Sequence, residues 1–130
     1  MKKGIVYFVL ALSTLFFVQC QQAQGQQKLT PAEYQKALLK DSSATLLDIR
    51  TPDEFQEGHL IGAKNINFYD AQFLTQVKQT AKNNTVYIYC RSGGRSGKAS
   101  TLLQEAGFKV IDLSGGIQAW MNQSLPITQK

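Results

Sequence analysis

Residues 44–49, Ala44-Thr45-Leu46-Leu47-Asp48-Ile49, form a short apolar run between polar turns, the pattern of a buried strand. Residues 85–89, Thr85-Val86-Tyr87-Ile88-Tyr89, are β-branched or aromatic throughout and predict a second strand. Residues 108–113 predict a third, Leu29 opens a short edge strand, and the loop over 62–67 leads into another. Between these runs the spacing changes to that of helices. Tyr34, Ala37 and Leu38 share one face of a helix ending near Lys40, and Phe73, Leu74 and Val77 face inward on an amphipathic helix over 70–81. Ala99, Leu102 and Leu103 do the same over 96–106, with Gly107 as the stop. Thr30-Pro31-Ala32-Glu33 and Thr51-Pro52-Asp53-Glu54 are two capping boxes with proline at the first helical position, and Gly58 ends the short helix that the second one starts. After a Gly115-Gly116 turn, a last short helix over 117–122 carries Trp120, read as core packing. Strands separated by helices predict an α/β domain with a mainly parallel central sheet flanked by helices.

One apolar run does not belong to that pattern. Residues 5–18 carry no charge and follow Lys2 and Lys3, which suits the hydrophobic region of a secretory signal and is too short to span a bilayer comfortably. Two cuts compete. Ala23-Gln24-Gly25 is a small-x-small site that makes 1–25 a signal peptide and 26–130 the mature domain. Alternatively, Val18-Gln19-Cys20 resembles a lipoprotein signal over 1–19, with Cys20 lipidated and attached to a membrane, although Gln19 and Phe17 depart from the usual residues there. Both readings place the protein in a bacterial cell envelope, either in the periplasm or anchored to a membrane. The glutamine-rich stretch over 19–27 then reads as a tether.

The chain has 130 residues, 43% of them hydrophobic, which suits one globular domain, and no repeat or internal linker divides it. Removing 1–25 takes away Lys2 and Lys3 and no acid, so the formal charge falls from +5 to +3. Without a lysine run or a basic helix face, nucleic acid is excluded as the expected partner.

Either cut leaves Cys90 as the one cysteine with a free side chain. It stands in YCRSGGRSGKA, residues 89–99, where a predicted strand delivers it into a glycine-rich loop. In parallel sheets ligands bind beyond the carboxyl ends of the strands, where such loops sit. Gly93 and Gly94 let the loop curl so that successive N–H groups point at one spot, and the helix that follows favours negative charge at its start. Those amides stabilise a thiolate, so Cys90 is expected to be nucleophilic at neutral pH. Arg91, Arg95 and Lys98 add positive charge around the rim, and arginine suits bidentate contact with an oxyanion. A glycine-rich turn alone also fits a structural role; cysteine first with arginine second and sixth favours a reactive one. His59, the only histidine, reads as a structural turn residue, and one cysteine with one histidine cannot close a metal's coordination shell. The residues therefore imply a small anionic ligand and call for neither metal nor cofactor.

Three stretches resemble the rhodanese family of sulfurtransferases. They are Asp48-Ile49-Arg50 followed by Glu54-Phe55-Gln56-Glu57-Gly58-His59-Leu60-Ile61-Gly62-Ala63-Lys64-Asn65-Ile66, then Cys90-Arg91-Ser92-Gly93-Gly94-Arg95-Ser96, and Leu113-Ser114-Gly115-Gly116-Ile117-Gln118-Ala119-Trp120. The resemblance implies a single rhodanese-like domain in which Cys90 takes the sulfane sulfur of thiosulfate or a related donor as a persulfide. Cyanide or a thiol acceptor then removes it. In that scheme residues 91–96 bind the donor, with Arg95 on its sulfonate oxygens and Arg91 raising the local potential, while Asp48 and Arg50 support the loops. Two other readings stand beside it: a non-catalytic sulfur-carrier or redox module, and a cysteine-dependent phosphatase or arsenate reductase. Tyrosine phosphatases place five residues between nucleophile and arginine. Here four separate Cys90 from Arg95, which suits a smaller ligand.

Overall fold

A computed structural model describes residues 26–130; both leader readings fall on residues outside that range. The chain runs β1 (Gln27–Leu29), α1 (Pro31–Lys40), β2 (Thr45–Asp48), α2 (Pro52–Glu57), β3 (His59–Leu60), β4 (Lys64–Asn65), α3 (Phe73–Thr80), β5 (Thr85–Tyr89), α4 (Gly94–Glu105), β6 (Lys109–Leu113), α5 (Gly116–Asn122) and β7 (Ile127–Thr128). Five strands form a sheet in the order β1-β6-β5-β2-β4, and every pairing in it is parallel. The predicted α/β architecture is the one observed.

A parallel sheet must be covered on both faces, and the alternation along β5 shows how that is done. Val86 and Ile88 join Phe73, Val77, Ala99 and Leu103 in the core under α3 and α4. Tyr87 and Tyr89 point the other way, into a second core with Tyr34, Ile117 and Trp120 from α1 and α5. Trp120 is buried and donates from Nε1 to Pro126 O at 3.0 Å. Both capping boxes form, with Thr30 and Thr51 accepting from the amides of Glu33 and Glu54 and the two glutamates returning the bond.

Three expectations need correcting. The helix α4 begins at Gly94 rather than at Ser96, because the cap is not a serine hydroxyl but a left-handed glycine, Gly93, with φ +110°. Leu102 is 37% exposed instead of inward. It lies about 60° around the helix from Ala99 and 100° from Leu103, at the edge of the stripe those two define. The helix α3 begins at Phe73, since the Asp70 carboxylate accepts from Gln72 N at 2.8 Å and makes a turn of the preceding residues. The sequence also gave no sign of the antiparallel pair β3–β7, which brings His59 opposite Thr128. His59 is buried, stacked on Phe55 with ring centroids 3.7 Å apart, with its ring nitrogens on Phe55 O and Lys130 O.

At the carboxyl end of β2 a buried ion pair joins the strand ends. The Asp48 carboxylate takes Arg50 Nη2 at 2.6 Å and Nε at 3.0 Å, and Tyr89 Oη donates to it at 2.7 Å. The Arg50 guanidinium also donates to Gly58 O at 2.7 Å, and Leu60 N donates to Tyr89 Oη at 3.0 Å. Burial and the neighbouring carboxylate push the Tyr89 phenol well up, so it remains a donor. One carboxylate thus ties β2, β5 and the α2–β3 turn together. Removing its charge strands a buried guanidinium, so Asp48→Asn is expected to cost about 3 kcal/mol in urea denaturation at neutral pH. A loss below about 1 kcal/mol would mean that the strand ends are held by packing alone.

Candidate active site

Cys90 follows β5 directly and is 1% exposed. Its Sγ accepts from Gly93 N at 3.2 Å and from Ser96 N at 3.4 Å, and lies 3.4 Å from Ser96 Oγ. The N-cap residue of α4, Gly93, has no side chain to make the capping bond. The first turn of a helix leaves its amides without intrahelical partners, and here the sulfur occupies the place of the capping oxygen. Gly93 makes this geometry accessible, since its φ is one that residues with a Cβ rarely adopt.

The outward carbonyls of the same loop are held by α5. Cys90 O accepts from Ile117 N at 2.9 Å and Arg91 O from Gln118 N at 3.1 Å. Because a trans peptide places N–H and C=O on opposite sides, these bonds turn the amides of Arg91 and Ser92 away from α5. The approach of the two backbones is close. A Cβ on Gly116 would stand 2.5 Å from Cys90 O, inside van der Waals contact with backbone that cannot step aside.

Arg91 and Ser92 are exposed, Gly94 is exposed, Arg95 is half-buried and Ser96 is fully buried. Lys98 is exposed on α4. The Arg95 fork, which the sequence assigns to donor oxygens, lies on Glu54 instead: Nη1 donates to Oε2 at 2.7 Å and Nη2 to Oε1 at 2.8 Å. The guanidinium also sits 5.8 Å from the centroid of the exposed Tyr69 ring. Glu54 Oε2 accepts from Thr51 N and Oγ1 as well, each at 3.0 Å. The Arg95 bonds, helped by Thr51 and opposed by burial, hold the Glu54 carboxyl down at about 2. Asp48 and Arg50 stand one strand away and touch the site through Tyr89, the residue before Cys90. Among the described residues no cluster of His, Cys, Asp and Glu could hold a metal ion. An apolar cleft of about 240 Å³ between Leu38, Leu60, Ile61 and Trp120 shares no lining residue with the Cys90 loop.

A buried sulfur facing backbone amides, at the carboxyl end of a central parallel strand, can be compared with known proteins. The profile of the family described as Rhodanese-like domain matches residues 30–123. The chain belongs to this family. Thiosulfate sulfurtransferase 16 of Arabidopsis thaliana, a chloroplast protein, is 41% identical over 91 residues, covering 62% of this chain and 76% of that one. A sulfurtransferase of Allochromatium vinosum is 39% identical over 83 residues, covering 63% and 76%. The crystal structure of a rhodanese-related protein from Thermoplasma volcanium superposes with a TM-score of 0.70 at 24% identity, over 80% of this chain and 99% of that one. The chain is thus a single rhodanese-like domain with sulfurtransferase relatives.

Two residues of this rhodanese-like site escaped the sequence reading in these roles. The sequence shows Glu54 as the last residue of a capping box and as part of the first family-like stretch, not as the partner of Arg95; its position just after β2, at the same sheet edge as the Cys90 loop, is the available signal. Gly116 belongs by its local sequence to a turn, and nothing local shows that the turn docks on residues 90 and 91.

Two outcomes follow from this geometry. Gly116→Ala is expected to lower the melting temperature by several degrees and to slow alkylation of Cys90 by iodoacetamide, since the loop must retreat from α5; an unchanged alkylation rate would show that the loop holds its shape without α5. The Glu54 carboxyl has a folded value below its ordinary one near 4.5, so its contribution is complete above that pH and is lost as pH falls through about 2. Glu54→Gln should therefore be less stable than the unchanged protein by about 1 kcal/mol at neutral pH, allowing for the pair's partial exposure, and the two should converge as pH falls below about 2. A difference that persists at the acid end would rule out the ion pair as its source.

Proposed function

We propose that the protein is a sulfurtransferase that carries sulfane sulfur on Cys90. The observation that carries this reading is the position of Sγ, buried and facing the amides of Gly93 and Ser96. A thiolate there is stabilised by fixed dipoles, and so is the anionic outer sulfur of a persulfide. The thiolate attacks the outer sulfur of thiosulfate, a new S–S bond forms, the S–S bond of the donor breaks and sulfite leaves with its electron pair. Cyanide or a thiolate acceptor then attacks the outer sulfur, giving thiocyanate or an acceptor persulfide and returning the Cys90 thiolate. No cofactor enters either step.

The binding of the donor is divided between the two arginines. Because the Arg95 fork is committed to Glu54, Arg95 holds the edge of the loop as one half of an ion pair. Arg91, the exposed residue next to Cys90 in the chain, supplies the arginine that follows the donor's sulfonate oxygens. The narrow access to a 1% exposed cysteine favours a donor that reaches in with one sulfur atom over a phosphate ester.

Brief exposure to thiosulfate should add the mass of one sulfur atom per chain, removable by cyanide as thiocyanate, and Cys90→Ser should gain nothing while remaining folded. Arg91→Ala should raise the KM for thiosulfate by about tenfold with a smaller change in kcat. No mass gain from thiosulfate or from glutathione persulfide would sink the proposal; hydrolysis of an aryl phosphate would then favour the phosphatase reading, and its absence the non-catalytic module.

A further inference from the structure

The cations of the Cys90 loop differ in what surrounds them. Arg91 and Lys98 are exposed, whereas the Arg95 fork carries a carboxylate, with Nη1 on Glu54 Oε2 at 2.7 Å and Nη2 on Oε1 at 2.8 Å. Arg95 belongs to the backbone that surrounds the sulfur. The amide of Ser96, the next residue, donates to Cys90 Sγ, and so does that of Gly93, two residues earlier. What sits on the Arg95 guanidinium therefore helps to set the charge at the edge of the site.

The surroundings keep the carboxylate in that place. Glu54 Oε2 also accepts from Thr51 N and Oγ1, each at 3.0 Å, so the start of its own helix anchors it. The Tyr69 ring stands 5.8 Å from Arg95 Cζ. That residue is tied down in turn, because Tyr69 N donates to Asn67 Oδ1 and Phe68 N to Ile49 O, each at 3.0 Å. The Arg95 and Glu54 side chains are 17% and 25% exposed, so salt screens the pair less than it screens charges standing free in water. With its carboxyl held down at about 2, Glu54 keeps its charge at any pH where a thiolate reacts.

We propose that Glu54 is a specificity-determining residue: its carboxylate offsets the Arg95 charge and so selects against donors that bring two negative charges to Cys90, in favour of those that bring one or none. Thiosulfate is of the first kind; an organic thiosulfonate or an alkyl persulfide is of the second. As a choice among sulfur donors this rests on the sulfurtransferase reading. As a statement about charge at Cys90 it holds for any electrophile that reaches the sulfur.

The test alkylates Cys90 with iodoacetate and with iodoacetamide, reagents of nearly one shape that differ by a full negative charge, and follows the Cys90 peptide by mass. A change in thiolate fraction or in loop access alters both rates alike, so their ratio reads charge. Glu54→Gln should raise the iodoacetate-to-iodoacetamide ratio about three- to tenfold at low ionic strength, and the rise should fade in concentrated salt. Arg95→Gln should lower the ratio, and the double variant, whose net charge equals that of the unchanged protein, should return it to within about twofold. A ratio that Glu54→Gln leaves unchanged or lowers, or a rise that persists in concentrated salt, overturns the inference, the last by pointing to shape instead of charge. Should Glu54→Gln fail to fold, the step from Arg95→Gln to the double variant decides, and it should raise the ratio. The same samples are then given thiosulfate or methanethiosulfonate, which carry two charges and one. Each loses its outer sulfur to the thiolate as its own S–S bond breaks, releasing sulfite or methanesulfinate with the electron pair. Glu54→Gln should speed sulfur uptake from thiosulfate relative to methanethiosulfonate by a similar factor. A raised alkylation ratio with no sulfur taken from either donor keeps the charge selection and loses the proposed function. Sulfur uptake with an unchanged alkylation ratio keeps the function and loses the charge selection.

Discussion

A peptide group cannot turn its N–H toward a ligand without turning its C=O away from it, and the whole site depends on where those outward carbonyls go. In the Cys90 loop two of them go to α5, where Ile117 N donates to Cys90 O and Gln118 N to Arg91 O. The start of one helix therefore satisfies the outside of the loop while the start of another, α4, supplies the amides inside it. Gly116 permits this because no Cβ stands between the two backbones. The sulfur itself meets the amides of Gly93 and Ser96, while the bonds to α5 set the peptides of residues 90–92 beside it.

Around that core of backbone geometry the charged residues fall into two pairs with different surroundings. Asp48 and Arg50 are buried, and their pairing is structural: one carboxylate gathers a guanidinium, the Tyr89 phenol and, through them, Gly58 and Leu60. Such a pair is costly to break rather than strongly stabilising in itself. Glu54 and Arg95 lie at the rim, partly exposed, and the same glutamate completes the capping box of α2. The ion pair holds Arg95 half-buried beside the loop, whereas Arg91 is exposed. The division makes chemical sense of two arginines that look equivalent in the string CRSGGRS.

The elements themselves were legible in the chain. Strand β5 has the predicted bounds, Thr85–Tyr89, because β-branched and aromatic residues fit only a pleated, doubly buried strand there. Both capping boxes and both helices that follow them were readable because a cap is made by residues three apart. The place of Cys90, at the end of a strand and before a glycine-rich turn, follows from the same local rules. At the start of α4 the amide of Ser96 is taken by a sulfur atom from six residues earlier, outside the three-residue spacing of a capping box, so local spacing does not mark that boundary.

What the sequence alone determined, then, is whatever depends on neighbours within a few residues: the alternation of strands and helices, their caps, and the cysteine loop with its two arginines. The tertiary structure decided which groups meet across the chain. Glu54 reaches Arg95, Gly116 admits α5 to the carbonyls of residues 90 and 91, and β3 pairs with β7. These contacts follow from the order of strands in the sheet and the docking of helices on it. Spacing along the sequence carries little information about either, because the free energy of closing a loop varies only slowly with its length.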